Sequence, residues 1–443
     1  MRDDGYVILG GGVSGFGAAN FLTEKGVRPT LYEARNAPKG LTSSHTYPDG
    51  FVFDEGVHIS FAKSERVKEL FAKSVKGQYE SGTVYCNNYW KGHWIKHPAQ
   101  VNLHGLPHDL IVKCITDFVE ASKIENPKID NYEDWLLAAF GETFARTFPA
   151  IYTVKYHTTE AKNLTTDWLG PRLYRPKLEE VLLGALAPEP LDVFYVNDFR
   201  YPSYGGFASF LDHFLDMADV QCGHEVTQID LAGKKLSFRN GVTADFEKLI
   251  SSIPLPRLIP LIQGCPDDVR EAATKLACSQ TAVVNIGIKR EVDLKPQWSY
   301  FYDEDIPFAR VSHRQNLSKH TLPPGHSAYQ AEIYFSDKYR PLTGTPEDCI
   351  EPAIDGLIKS GLVQSRDEIV HKSVLWIPYG NIIFDHDRPK AIETIHGYLN
   401  DVGIAYCGRF GDWGYIWTDQ AFLSGERAAK TAMRISDQAT AAE

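Results

Sequence analysis

The sequence has no excess of basic residues, no CxxC pair, no long apolar run and no low-complexity tract, and each absence removes a class of function. With 46 Lys and Arg against 57 Asp and Glu, the net charge is −11. Such a chain lacks the basic face that phosphate neutralisation on a nucleic acid requires. An anionic small molecule would need a local cationic pocket instead. The seven cysteines, at 86, 114, 222, 265, 278, 349 and 407, are odd in number and widely spaced, without metal-ligand spacing. They read as reduced structural thiols, with no metal site. No run of about 18 apolar residues suggests a membrane span. The first apolar stretch is interrupted by glycines, unlike a signal peptide, so a cytoplasmic location is expected by default.

What is present is a globular composition, 43% hydrophobic, with 23 Phe, 22 Tyr and 8 Trp that favour aromatic-lined pockets. A length of 443 residues exceeds one ordinary core, so two or three interleaved units are expected. The run Tyr6 to Leu9 ends in Gly10-Gly11-Gly12-Val13-Ser14-Gly15, an apolar helical stretch follows, and a second extended segment ends at Glu33. This is the βαβ dinucleotide fingerprint: Gly10 permits the turn, Gly12 lets backbone approach a pyrophosphate, and Gly15 allows helix and strand to pack closely. The helix N-terminus favours the phosphates, and Glu33 would accept from a ribose hydroxyl. A glycine-rich turn without a ligand is the bland alternative for a lone GxGxxG. The flanking strand and helix and the acid 23 residues beyond Gly10 weigh against it.

Further along, DLIVKCITDFVEASK from Asp109 and the stretch Trp135 to Phe148 carry apolar residues at helical spacing. Residues 224–254 alternate short strands with a turn and return to the first sheet, while TAVVNIGI, SYFY and AYQAEIYF are strand-like. The last stretch reads as strand, loop and long helix. Its start, near Asp419 to Ala421, could stabilise negative charge on a cofactor, although periodicity alone equally allows a plain surface helix. The return strands and C-terminal segment together resemble the flavin amine-oxidase type of fold, which implies FAD. The expected class is therefore α/β: a discontinuous Rossmann-type FAD-binding domain (1–80, 200–258 and 400–443), an inserted mainly helical domain (105–195), and a β-sheet substrate domain (81–104 and 259–399).

Several segments carry a more specific likeness: Gly56-Val57-His58-Ile59-Ser60-Phe61, Trp94 to Gln100, Trp168-Leu169-Gly170-Pro171-Arg172, Phe199 to Pro202, Tyr300, Pro307-Phe308-Ala309-Arg310, Tyr379, and Gly408-Arg409-Phe410-Gly411 with Tyr415 and Gln420. Over most of the chain these resemble the UDP-galactopyranose mutase family, particularly its eukaryotic branch. The resemblance implies interconversion of pyranose and furanose forms of a nucleotide sugar without net redox change. N5 of reduced FAD would attack the anomeric carbon, forming a flavin–sugar adduct while the diphosphate departs and later returns. NAD(P)H is implied as a reductant, although no separate nicotinamide motif is present.

The same resemblance implies site residues. His58 matches a histidine beside the flavin, and Arg172 and Arg310 match arginines that hold the diphosphate. Tyr300, Tyr379 and Tyr415 match tyrosines around it, Phe61 and Gln100 match nucleotide-base contacts, and Asn197 matches a position near the substrate. Gly408, Asp419 and Gln420 fall in the C-terminal cofactor segment. For a single arginine, tyrosine or histidine, a surface ion pair or a core position is the competing account. The chain departs from the family where a tyrosine near the base is His97, where another is Leu317, and where an asparagine is missing at Thr418-Asp419-Gln420. These changes touch the nucleotide and sugar contacts, so a UDP-, GDP- or dTDP-linked sugar is expected without a choice among them. A flavin amine oxidase or desaturase, or a non-catalytic binding relative, are the alternatives. Oligomeric state is not legible, and a homo-oligomer is left open.

Overall fold

The computed structural model describes residues 5–170, 173–188, 196 and 198–440, with side chains described as far as 434. The N-terminal βαβ unit forms as its spacing predicts. Tyr6–Leu9, fully buried, leads into the helix Val13–Glu24 and then the strand Thr30–Tyr32. These join a five-stranded, all-parallel sheet in the order Ile404–Tyr406, Lys248–Ser251, Tyr6–Leu9, Thr30–Tyr32, Asp219–Gln221. Three widely separated parts of the chain thus share one sheet, with Ile8 set between Ile250 and Leu31. Strands buried on both faces read as apolar runs without alternation, as YVIL and LIS do here.

A second sheet of seven strands runs Ile369–Ile377, Gln280–Ile288, Ser327–Phe335, Arg310–His313, Trp298–Phe301, Cys86–Trp90, His93–Lys96. Its centre is the antiparallel pair Gln280–Ile288 and Ser327–Phe335, matched residue for residue from Gln280↔Phe335 to Ile288↔Ser327. The edge strand Ile369–Ile377 is half exposed and carries His371 and Lys372 among its apolar residues, so it gave no clear strand pattern.

Along the chain between Lys96 and Asp198 run the helices His108–Ser122, Tyr132–Phe140, Glu142–Thr147, Pro149–His157 and Leu178–Leu186. The expected helix from Trp135 to Phe148 is two helices, broken at Gly141. There φ is +77°, and a Cβ would stand 2.4 Å from the Asp117 carbonyl carbon. Only glycine supplies that conformation at such close approach. Among the described residues no helix is long and apolar enough to cross a membrane.

A buried polar knot fastens the N-terminal unit to the seven-stranded sheet. Asp54 and Arg314 are both fully buried and paired at 2.8 Å. The carboxylate also accepts from the Tyr201 hydroxyl at 2.7 Å, the Ser44 hydroxyl at 2.6 Å and the Phe207 amide at 3.0 Å. Tyr201 in turn accepts from Arg314 Nη2. Burial alone would raise the Asp54 pKa. Arg314, Ser44 and Tyr201 overcome it and hold the carboxyl below its ordinary value. An isolated buried charge costs several kcal/mol, so removing one partner strands the other. Asp54→Asn is therefore expected to destabilise the protein by roughly 3–5 kcal/mol, read as a fall in Tm.

Two buried histidines give the fold a pH dependence. His157 and His313 are 4% and 1% exposed, and burial pushes each down to about 3. Each stays neutral in the folded chain but takes up a proton near 6.5 when unfolded. Their contribution is fully present above that value and is lost progressively as pH falls toward 3, at on the order of 1 kcal/mol per pH unit for each. Melting curves should show Tm falling from pH 7 to pH 5, and His313→Asn should flatten part of that slope.

Candidate active site

The two sheets enclose a cavity of about 470 Å³, and its walls come from every part of the fold. One arm is the dinucleotide turn. Gly10 has φ +102°, and a Cβ there would stand 2.3 Å from the Ser252 hydroxyl. Gly12 caps the helix Val13–Glu24, whose first turn carries no acidic residue. Gly12, Val13 and Ser14 line the cavity, so the N-terminal end of the helix dipole meets it unopposed, as an anion requires. Gly15 lies one layer below the cavity wall, where a Cβ would meet the Gly10 carbonyl oxygen at 2.0 Å. Glu33 is buried, with Oε2 accepting the Gly11 amide and Oε1 the Arg35 amide, each at 2.8 Å. Fixed in this way, each oxygen keeps a lone pair for a ribose hydroxyl.

The C-terminal segment closes over this arm. Gly408 has φ +81° and fits against Ser14, and Gly17 and Gly425 let the first and last helices touch backbone to backbone. Thr418 and Ala421, in the first turn of Thr418–Thr440, reach the cavity wall. Arg409 is held there by the Ile416 carbonyl at 2.8 Å and by Asn381 Oδ1 at 3.1 Å. These residues fit a flavin dinucleotide: a phosphate-ready helix end, a ribose-binding carboxylate and glycine contacts that leave the turn open.

The opposite wall carries cation and phenols. Arg310 is tied to Glu332 through Nε at 2.7 Å and Nη2 at 3.1 Å, and Nη1 stays outside this fork. Around it stand Tyr300, Tyr156, Tyr334 and Tyr415, with Tyr156 and Tyr415 hydroxyls 3.1 Å apart. Burial raises the pKa of Tyr156 and Tyr334 well above the ordinary phenol value. They are neutral donors that fix geometry without adding charge.

His58 stands between the two arms. Its Nδ1 lies 3.2 Å from the Gly56 carbonyl, which can only accept, so Nδ1 carries the proton and Nε2 is the acceptor. Burial, reinforced by Arg409, lowers its pKa despite the opposing pull of Asp54. The ring is therefore neutral near pH 7.

The fold brings Gly10, Gly12, Glu33, His58, Phe61, Tyr300, Arg310, Tyr379, Gly408 and Tyr415 to the lining of one cavity. It does not bring His97, Gln100, Asp419 or Gln420 there. His97 lies behind Tyr300, ring centroids 4.6 Å apart, with Nδ1 on Asn88 Oδ1 at 3.0 Å. Gln100 turns into the helical layer and donates to the Tyr174 carbonyl at 3.1 Å. Asp419 Oδ2 accepts from the Lys63 amide, and Gln420 accepts from the Trp417 amide, so both serve the start of the last helix. Arg172 and Asn197 lie outside the described residues.

Residues missed from the sequence include Arg409, Glu332, Tyr156, Tyr334 and Trp417, which packs edge-on against Phe61 at 4.9 Å. Glu332 did leave a signal: a carboxylate inside the apolar strand AYQAEIYF demands a buried partner. Tyr156 left none, because its helix is apolar on several sides.

A family model described as an NAD(P)-binding Rossmann-like domain matches residues 8–74. The 15-cis-phytoene desaturases of an Oncidium hybrid cultivar and of Arabidopsis thaliana are each 34% identical over 67 residues, 15% of this chain and 12% of theirs. That match covers only a small part of those curated relatives. Among solved structures, a redesigned putrescine oxidase (TM-score 0.65, 15% identity, 98% of this chain and 99% of that one) shares the fold. So does a fatty acid isomerase from P. acnes (TM-score 0.65, 12% identity, 97% and 99%). Reduced UDP-galactopyranose mutase matches with a TM-score of 0.92 at 26% identity, covering 98% of this chain and 95% of that one. Over nearly its whole length, the chain resembles UDP-galactopyranose mutase, within a fold that flavin amine oxidases share.

Proposed function

We propose that this protein is a flavin-dependent mutase that interconverts the pyranose and furanose forms of a nucleotide-diphosphate sugar without net redox change. The observation that carries this reading is the single cavity in which a dinucleotide arm, a neutral histidine and the Arg310 wall with its phenols meet. Gly10, Gly12, Glu33 and Gly408 would hold FAD, and Arg172 is assigned as the second diphosphate arginine. When bound and reduced, the flavin supplies a nucleophilic nitrogen for the anomeric carbon.

The chain's own part is to bind and retain. A departing diphosphate must stay close enough to return, and guanidinium groups keep it by charge-assisted hydrogen bonds. Arg310 offers Nη1, with the hydroxyls of Tyr300, Tyr156 and Tyr415 around it, while the Tyr334 proton is committed to Glu332. His58, neutral and with Nε2 as acceptor, can hold a proton from a sugar hydroxyl. The aromatic corner of Phe61 and Trp417 suits stacking against a base or the apolar face of a sugar. The substrate is drawn from UDP-, GDP- or dTDP-linked sugars, and NAD(P)H is the proposed reductant.

Product analysis on a panel of such sugars should show ring interconversion with dithionite-reduced enzyme only. Reaction confined to oxidised enzyme, with oxygen uptake, would make it an oxidase or desaturase and end the proposal. Arg172→Ala and Arg310→Ala should each lower kcat/KM by roughly 100-fold, the scale of a charge-assisted contact, with FAD content unchanged. Flavin loss in either variant, read from absorbance and extracted cofactor, would reassign that arginine to cofactor binding.

A further inference from the structure

Glu332 is the most committed side chain of the cavity. It is 2% exposed and lies directly across the sheet from Arg310. Its two oxygens accept four donors: Arg310 Nε at 2.7 Å and Nη2 at 3.1 Å, the Tyr334 hydroxyl at 2.6 Å, and the Val57 amide at 3.0 Å. A carboxylate has about four lone-pair sites, so none remains for substrate. This excludes Glu332 as an acid or base and leaves it the task of placing its neighbours.

The neighbours belong to opposite walls. Arg310 sits on the substrate wall, whereas Val57 precedes His58 in the loop beside the dinucleotide arm. Both use one oxygen, Oε1, because Nη2 and the Val57 amide each point to it. Gly56, at φ +99°, would place a Cβ 3.2 Å from that oxygen, so even the loop's backbone is shaped around it. Rotation of the Glu332 carboxylate would therefore move the guanidinium and the His58 loop together. The carboxylate also offsets the charge of Arg310, which limits the grip on a ground-state diphosphate while keeping its direction.

We propose that Glu332 is the positioning residue that fixes the Nη1 edge of Arg310 relative to the loop carrying His58. This rests on the mutase reading above. The test compares Glu332→Gln and Glu332→Asp with the unaltered holoenzyme. It measures kcat, FAD content, and the Kd for UDP, GDP and dTDP from the change in flavin absorbance. Glutamine loses the charge and turns an amide toward the guanidinium, and aspartate keeps the charge but draws it back by one methylene.

Both variants should retain FAD and lose kcat by about 10- to 100-fold, the scale of a misplacement near 1 Å. Nucleotide Kd should stay within about twofold or tighten in Glu332→Gln, the split that distinguishes misplacement from lost binding. The proposal is overturned if kcat stays within about twofold in either variant. It is also overturned if kcat and nucleotide affinity fall in proportion. Should Glu332→Gln fail to keep its flavin, the aspartate variant decides by the same criteria. If the unaltered enzyme neither binds nucleotides nor turns over, the mutase reading itself fails, and the positioning role fails with it.

Discussion

The whole arrangement depends on one ion pair that water never reaches, Asp54 with Arg314. Asp54 ends the strand Val52–Asp54 of a hairpin in the N-terminal unit, and Arg314 follows the strand Arg310–His313 of the seven-stranded sheet. Their attraction, strengthened by a low local dielectric, repays the removal of two charges from water only because Ser44, Tyr201 and Phe207 supply further hydrogen bonds. The pair also sets the cavity's geometry. Arg310 lies four residues before one partner and His58 four residues after the other, so this clamp aligns two walls of the cavity.

A second constraint is the closeness of backbone in the dinucleotide arm. Gly15 against Gly10, and Gly425 against Ser14, leave no room for a side chain. The second contact, with Gly17 against the Phe422 carbonyl, holds the first and last helices together, and Gly408 fits against Ser14 beside the turn. The cofactor arm is thus built from residues four hundred positions apart, with the glycine contacts setting the spacing.

The electrostatics of the cavity run against the acidity of the chain. A net charge of −11 would repel a diphosphate from most of the surface. Inside, Arg310 and Arg409 face a wall of neutral phenols, and Glu332 balances the first of them. The result suits an anion that must be oriented and released, because direction comes from fixed hydrogen bonds more than from surplus charge.

The sequence alone determined whatever local spacing controls. Tyr6 to Glu33 gave the βαβ unit, since strand period, helix period and turn glycines are set by neighbours in the chain. The buried central strands were legible for the same reason. Tertiary structure decided which flagged residues meet. His58, Arg310, Tyr379 and Tyr415 reach one cavity, while Gln100 and Asp419 spend their polar atoms on the Tyr174 carbonyl and the Lys63 amide. Gly141 split a helix that periodicity read as continuous, because its close approach to Asp117 involves a residue 24 positions away. A side chain's partners across the sheets depend on register and packing between distant segments, and no local pattern encodes that.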